Sequence, residues 1–262
     1  MNILAEIADR TRTRVEDEKK RLPLAEVRRQ AESAAKERES FLFERALKGD
    51  DISFICEVKR ASPSKGLIAP DFPYLDIARD YESAGAAAIS CLTEPFWFKG
   101  SDEYLRNIAK EVSIPVLRKD FVVDEYMVYG ARALGASAVL LICAILDDAQ
   151  LLAYRTLADE LGLSALVEAH DEVEIGRALK AGARVIGVNN RDLKTFTVDM
   201  SVSRRLRALV PRDVVFVSES GVNSAADIEL LREYGADAVL IGEKLMRAPD
   251  KKAMLAELRG AK

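Results

Sequence analysis

Lysine and glutamate side chains stand at the ends of apolar, strand-like runs in this 262-residue chain. Glu57 and Lys59 fall on one face of their run, because side chains alternate along a strand with a period of two. Lys119 and Glu168 end two further runs of the same kind. Ammonium and carboxylate groups that share a partly dry site shift each other's pKa values, so a lysine there can act as an acid or a base near neutral pH. The pattern therefore predicts acid–base catalysis.

The scarcity of histidine supports this interpretation. The chain has one histidine, His170, and three cysteines, Cys56, Cys91 and Cys143. A single histidine excludes multi-histidine zinc sites and most nucleophile–histidine pairs. The cysteines lie at unrelated spacings in apolar runs, which is typical of buried free thiols rather than of a disulfide framework or a metal cluster. We expect no metal site, and we interpret His170 as a hydrogen-bonding loop residue.

Small residues follow two of the later apolar runs. Ser220 and Gly221 come directly after Glu219, and Gly242 precedes Glu243. Backbone N–H groups of small residues can approach phosphate oxygens closely, and a helix N-terminus behind them favours negative charge. The two loops together predict a phosphate site.

An internal repeat defines the elements that position these residues. Four segments end a helical stretch at Gly-Ala and enter an apolar run: SAGAAAIS (83–90), ALGASAVLL (133–141), KAGARVIGV (180–188) and EYGADAVLIG (233–242). Four more apolar runs alternate with them, at 52–59, 114–120, 163–169 and 214–221. Amphipathic helical segments follow the runs, so parallel strands with helical crossovers are required. Eight such units, without Gly-x-Gly-x-x-Gly after any strand, predict a closed (β/α)8 TIM barrel of the α/β class rather than an open doubly wound sheet.

Charged helical stretches precede the first strand, with a break at Pro23. They are predicted at residues 2–20, 24–37 and 40–48. We expect one barrel domain over residues 1–262, with residues 1–50 as a helical extension packed on it. A second hypothesis is that the extension caps one barrel mouth and helps to close the site.

Charge and composition limit the partners. The chain has 39 lysine and arginine residues against 43 aspartate and glutamate residues, a net charge of −4, which gives no general attraction to nucleic acid or to an anionic membrane. No apolar run approaches the length of a membrane span, and the N-terminus lacks the apolar stretch of a secretory signal. We therefore expect a cytoplasmic protein whose ligand is a small phosphorylated molecule held by a local site.

The strand ends also carry a series of short motifs in a fixed order. These are EVKRASPSKG (57–66), LRKDF (117–121), VE (167–168), NNRDL (189–193), SESG (218–221) and GE (242–243). Together they resemble the motifs of the indole-3-glycerol phosphate synthase family, and the K-x-x-S-P-S run in the first is quite specific. The similarity covers residues 40–248 and extends to the N-terminal helices.

The resemblance implies a lyase of tryptophan biosynthesis. Its reaction converts 1-(2-carboxyphenylamino)-1-deoxyribulose 5-phosphate to indole-3-glycerol phosphate, carbon dioxide and water, and no cofactor is implied. Lys119 would be the general acid that protonates the substrate carbonyl as the aromatic carbon attacks it. Glu168, Lys59 and Glu57 would serve the dehydration, with Glu168 as the base, and which lysine protonates the departing hydroxyl stays open. We expect a monomer, with other pathway enzymes left open as partners.

The resemblance also implies the substrate-binding residues. Asn189 and Arg191 would orient the substrate, and Phe121 would stack on its aromatic ring. The remaining candidates are Ser62, Glu219, Ser220, Gly221, Gly242 and Glu243. Many relatives carry serine where this chain has Glu243, so a hydroxyl contact to phosphate is lost. We expect backbone N–H groups to bind the phosphate and the Glu243 side chain to turn away.

Two alternatives compete with this interpretation. The phosphoribosylanthranilate isomerase family shares the fold and uses a cysteine at the end of the first strand as its base. Here Cys56 has the opposite parity to Glu57 and should face the helices. A barrel that binds a phosphate ester without catalysis would need the phosphate loops but neither Lys119 nor Glu168.

Overall fold

Eight parallel strands form a closed barrel in the computed structural model, which describes residues 3–192 and 195–260. The described residues form ten strands, eight of them in the barrel: β1 Ser53–Val58, β2 Ala61–Ser62, β3 Gly66–Leu67, β4 Ala88–Leu92, β5 Val116–Lys119, β6 Ala138–Ile142, β7 Ser164–Ala169, β8 Val185–Asn189, β9 Val215–Glu219 and β10 Ala238–Ile241. The order around the barrel is β1-β10-β9-β8-β7-β6-β5-β4, and β1 pairs with both β10 and β4. Closure confirms the predicted barrel. Strands β2 and β3 form a small antiparallel hairpin directly after β1.

Helices precede the barrel and connect its strands. They are α1 Ile3–Arg21, α2 Leu24–Glu37, α3 Leu42–Ala46, α4 Tyr74–Ser83, α5 Asp102–Glu111, α6 Glu125–Ala133, α7 Asp148–Glu160, α8 Glu172–Lys180, α9 Ser201–Arg207, α10 Ala225–Tyr234, α11 Glu243–Arg247 and α12 Lys251–Leu258, with a 3-10 turn at Cys143–Ile145. The glycine of the Gly-Ala pair in each repeated segment has a positive φ angle and closes the preceding helix. Each following strand begins three residues after that glycine, so these strands are shorter than the repeated segments.

The core has two layers that follow the alternation of side chains along the strands. Ile55 and Leu166 belong to the cluster inside the barrel, whereas Cys56 and Val167 belong to the cluster between sheet and helices. All three cysteines are buried and free, as predicted. Burial raises the pKa of the Cys56 thiol to about 12, which keeps it protonated. Its position among the helix-facing residues confirms the parity argument.

The N-terminal helices contact the barrel at several places. Helix α2 packs against α6, and Ile3, Leu4 and Ile7 of α1 reach the C-terminal mouth of the barrel. At the opposite end, Phe43 and Leu47 are fully buried in the inner cluster. Residues of α1 and α3 therefore contact the two ends of the barrel. Among the described residues, no helix has both the length and the apolarity to cross a bilayer.

Candidate active site

A cavity of about 780 Å³ opens at the C-terminal ends of the barrel strands. Its lining includes every site residue predicted from the sequence: Glu57, Lys59, Ser62, Lys119, Phe121, Glu168, Asn189, Arg191, Glu219, Ser220, Gly221, Gly242 and Glu243. In parallel barrels the active site forms at this end, because the loops after the strands converge there. Leu193, which belongs to the NNRDL motif, lies outside the described residues.

Lys119 lies at the centre of the polar part of the cavity. Its Nζ atom is 3.4 Å from Oε2 of Glu219 and 3.6 Å from Oε2 of Glu168. Burial lowers the pKa of Lys119, but the neighbouring carboxylates outweigh burial and hold that pKa above its usual value. The upward shift favours Lys119 as an acid rather than as a base in the free protein. Lys119 is protonated at neutral pH and can donate a proton to a strongly basic group.

Glu57 and Lys59 form a second ion pair at the end of β1. Lys59 Nζ lies 2.7 Å from Glu57 Oε1, and Ser90 donates a long hydrogen bond of 3.4 Å to Glu57 Oε2. Burial raises the pKa of Glu57, but Lys59 and Lys119 together hold it below its usual value. The two residues share one face, as the period of two predicted. Glu57 is therefore a carboxylate at neutral pH.

Gly242 makes room for this pair. A Cβ atom at position 242 would lie 3.0 Å from Lys59 Nζ and well inside contact distance of Glu57 Oε1. A side chain there would displace the ion pair, so the backbone of the loop after β10 approaches the strand ends closely only because residue 242 is glycine.

Glu168 uses its two oxygens differently. Its Oε2 atom faces Lys119, while Oε1 lies 3.4 Å from Asn189 Nδ2 and 3.2 Å from His170 Nε2. Burial raises the pKa of Glu168, but Lys119 and His170 outweigh burial and lower it well below its usual value. Glu168 is therefore ionised and has the charge required of a base. His170 does form hydrogen bonds, as expected, but it also contacts this site carboxylate.

Glu219 differs from Glu57 and Glu168 in that its pKa is raised rather than lowered. It is 1 % exposed, and its Oε1 atom has no hydrogen-bond partner among the described residues. Oε1 lies over Gly187, where a Cβ atom would collide with it. Burial and the negative charge of Glu168 raise the pKa of Glu219, which Lys119 only partly offsets. Glu219 can therefore hold a proton near neutral pH. Sequence reasoning placed it in the site as a binding residue and missed its contact with Lys119.

The loop after β9 has the shape expected of an anion-binding segment. Ser220 and Gly221 both have positive φ angles, of 64° and 103°. Asn190 braces this loop, because its Nδ2 atom donates to the carbonyl oxygens of Glu219 and Ser220. Behind the loop, α10 begins at a capping box formed by Ser224 with Asp227. Asn190 belongs to the NNRDL motif, but its bracing role could not be recognised without the fold.

Glu243 stands at the rim of the cavity. Its Oε1 atom is 3.0 Å from Arg247 Nε and 3.7 Å from Lys65 Nζ. We expected this side chain to turn away, but it lines the cavity. Two cations partly offset its charge, which stays at the site. Lys65 belongs to the segment between β2 and β3, so this contact also links that hairpin to the loop after β10.

An apolar wall faces the polar groups. Phe121 and Phe98 lie with ring centroids 6.0 Å apart, and Leu140, Ile142 and Leu240 complete the wall with Ile3, Leu4 and Ile7 of α1. The buried Glu94 shapes the loop that carries Phe98, because its carboxylate accepts hydrogen bonds from the N–H groups of residues 96, 97 and 98. Sequence reasoning missed Glu94, although a charged residue two positions after an apolar strand was the available signal.

The N-terminal helix also supports the strand that carries Lys119. Arg14 Nη2 lies 2.9 Å from both carboxylate oxygens of Asp120, and Thr93 donates to the same carboxylate at 2.6 Å. The backbone N–H of Thr93 in turn donates to the carbonyl oxygen of Lys119. These contacts fix the end of β5 from the outside of the barrel while Lys119 points inward.

A barrel with a lysine held among carboxylates, an apolar wall and loops of small residues at one mouth has the groups that a proton-transferring enzyme needs. This chain belongs to the indole-3-glycerol phosphate synthase family, because the sequence model of that family matches residues 4–258.

Named relatives agree with this assignment. The indole-3-glycerol phosphate synthase of Ruminiclostridium cellulolyticum is 58% identical over 259 residues, which cover 99% of each chain. That of Lachnoclostridium phytofermentans is 49% identical over 267 aligned positions, 98% of each chain. Among solved structures, 3-hexulose-6-phosphate synthase from Salmonella typhimurium matches 80% of this chain and 98% of its own with a TM-score of 0.66. At 13% identity, that likeness shows the fold alone.

Proposed function

We propose that this chain converts 1-(2-carboxyphenylamino)-1-deoxyribulose 5-phosphate to indole-3-glycerol phosphate, carbon dioxide and water, as a carbon–carbon lyase of tryptophan biosynthesis. The observation that carries the proposal is the position of Lys119, which lies between Glu168 and Glu219 in the cavity. The apolar wall suits the aromatic ring of the substrate, and the loops at Ser220 and Gly242 suit its phosphate.

Ring closure is the step assigned to Lys119. The aromatic carbon attacks the substrate carbonyl, and the Lys119 ammonium transfers one proton to the carbonyl oxygen, which becomes a hydroxyl group. An alkoxide in formation is far more basic than an amine, so a firmly protonated lysine still donates to it. Loss of carbon dioxide then restores the aromatic ring, and the electron pair of the broken bond returns to that ring.

Dehydration is the step assigned to Glu168 with a lysine. Glu168 is ionised and removes a proton from the substrate, while the hydroxyl group leaves as water with a proton from Lys59 or Lys119. Glu57 holds Lys59 at the mouth of the cavity. Glu219 holds a proton near neutral pH and lies next to Lys119, so it can return a proton to that lysine after ring closure.

The remaining residues bind the substrate. Asn189 contacts the base Glu168 and accepts a hydrogen bond from the N–H of Arg191, so both residues lie beside the reacting groups. Phe121 contributes an aromatic face to the apolar wall. Ser62 and the backbone of residues 220–221 and 242–243 hold the anionic groups. We carry forward the expectations of a cytoplasmic monomer that needs no cofactor, with residues 1–50 as an extension of one barrel domain.

The two rival functions have less support. An isomerase base at position 56 would have to face the cavity, but Cys56 packs between sheet and helices. A barrel that only binds phosphate esters has no use for Lys119 in contact with two carboxylates.

The test is direct. Purified protein is mixed with the carboxyphenylamino-deoxyribulose phosphate in metal-free buffer, and the fluorescent indole product is followed with time. Turnover that disappears in Lys119→Met supports the proposal. A folded wild-type sample that binds the substrate without forming product would overturn it.

A further inference from the structure

His170 lies between two carboxylates, one inside the cavity and one outside it. Its Nε2 atom is 3.2 Å from Oε1 of Glu168, and its Nδ1 atom is 2.9 Å from Oε2 of Glu174 in α8. The backbone N–H of His170 donates to the same Glu174 oxygen at 2.8 Å. The ring is therefore held from the helix side, and Nε2 points toward the site.

The surroundings of the ring favour its charged form. Burial lowers the pKa of His170, but the contacts with Glu168 and Glu174 outweigh burial and raise it to about 10. The other charged groups nearby act through these two carboxylates: Lys119 contacts Glu168, and Arg177 of α8 lies near Glu174. The histidine is therefore an imidazolium at neutral pH, and both ring nitrogens carry protons.

The contact with His170 gives the two carboxylate oxygens of Glu168 different partners. His170 and Asn189 both lie at Oε1, so Oε2 is left to face Lys119. A partial rotation of the carboxylate about its Cγ–Cδ bond would break these contacts. Nε2 is buried and makes no well-aligned hydrogen bond among the described residues, so its contact with Glu168 is an ion pair at 3.2 Å.

We propose that His170 is a positioning residue for the reaction: held by Glu174, it fixes the Glu168 carboxylate so that Oε2 faces Lys119 and the substrate. This inference rests on the proposed role of Glu168 as the base. It also explains how Glu168 stays ionised although it is buried, because the imidazolium supplies a second positive charge beside that of Lys119.

The experiment compares three variants. His170→Asn removes the ring and its charge, Glu174→Gln removes the outer carboxylate but keeps the ring, and Glu172→Gln is a control at an exposed position of α8 that pairs with Arg205. The constants kcat and KM are measured between pH 3 and 9, and folding is checked by thermal unfolding at each pH. We expect His170→Asn to lower kcat about tenfold or more with KM little changed, because the base is misplaced.

The pH profile separates positioning from mere stability. Loss of the imidazolium raises the pKa of Glu168, so the acid limb of kcat should move to higher pH in His170→Asn and less far in Glu174→Gln. Added imidazole should restore part of kcat in a fourth variant, His170→Ala. Glu172→Gln should match the wild type in every measurement.

The outcomes distinguish this inference from the proposed function. Lower stability in both His170→Asn and Glu174→Gln, with kcat and its acid limb unchanged, would show a structural role and overturn the inference. If His170→Asn does not fold, Glu174→Gln decides, because it keeps the ring and its packing. If Glu168→Gln itself keeps near-normal turnover, the assigned base is wrong, and the proposed function fails at that step.

Discussion

Lys119 and Glu219 meet across the barrel, with Nζ and Oε2 3.4 Å apart, although they come from strands on opposite sides of it. Strand β5 carries the lysine and β9 the glutamate, and three strands separate them in either direction around the barrel. Side chains from such strands meet only inside the closed barrel, above its packed layers. The contact places a buried cation beside a group that can carry a proton.

Replacement of Lys119 by methionine tests the proton donor. Methionine keeps the length and apolar volume of the lysine stem but cannot give a proton, so kcat should fall by about 10²-fold or more. Lys110→Met, an exposed substitution on α5, is the matched control and should leave kcat unchanged. Kinetics with the purified variants give the answer. Near-normal turnover in folded Lys119→Met would remove the lysine from the ring-closure step.

Much of this site was predictable because side chains alternate along a strand. The period of two places Glu57 and Lys59 together and sends Cys56 to the helices, and the structure agrees on both. The near absence of histidine made lysines and carboxylates the candidates for proton transfer, and their roles stay a prediction. The reaction itself came from the family resemblance, which the comparisons confirm.

The remainder depended on distances that no pattern contains. The contact between Lys119 and Glu219 requires the closure and register of the whole barrel. Burial lowers the pKa of Lys119 and several nearby carboxylates raise it. The direction of the net shift therefore depends on where those carboxylates lie. The direction of the Glu243 side chain depends on Lys65, which a separate hairpin brings to the rim.

The stability of the protein should depend on pH through Glu219. Its pKa is raised to about 7 in the folded protein, above the value of an unfolded glutamate. Between these two pH values the folded protein binds more protons than the unfolded chain, so this residue lowers the free energy of unfolding as pH rises. Glutamine does not titrate. As pH rises from 5 to 8, the free energy of unfolding of Glu219→Gln should therefore increase by about 1–3 kcal/mol relative to that of the wild type.

Urea unfolding of the wild type and of Glu219→Gln at pH 5 and at pH 8 measures this difference. Glu233→Gln, at an exposed position on α10, is the control and should show little change relative to the wild type. A difference between Glu219→Gln and the wild type that stays constant from pH 5 to 8 would contradict the raised pKa.

Glu243 should weaken substrate binding at low salt. Its carboxylate lies at the rim beside the loop proposed to hold the phosphate, and Arg247 and Lys65 offset its charge only in part. Glu243→Ser removes the charge and adds a hydroxyl donor, so KM should fall by about threefold while kcat changes little. Salt should reduce the effect, because it screens exposed charges. Steady-state kinetics at about 20 mM salt, where screening is weak, and at about 300 mM salt, where it is strong, test this. An increased KM in Glu243→Ser would show that Glu243 supports binding.

Gly242 should be required for turnover rather than for folding. A Cβ atom there would displace the pair of Glu57 and Lys59, so Gly242→Ala should lower kcat by about tenfold or more. The matched control is Gly176→Ala on α8, where an added Cβ atom meets no atom within 4 Å and should favour the helix. Thermal unfolding separates the two effects, since the Gly242 variant should lose activity while staying folded at the assay temperature. Equal activity in both alanine variants would mean that the ion pair can shift without loss of catalysis.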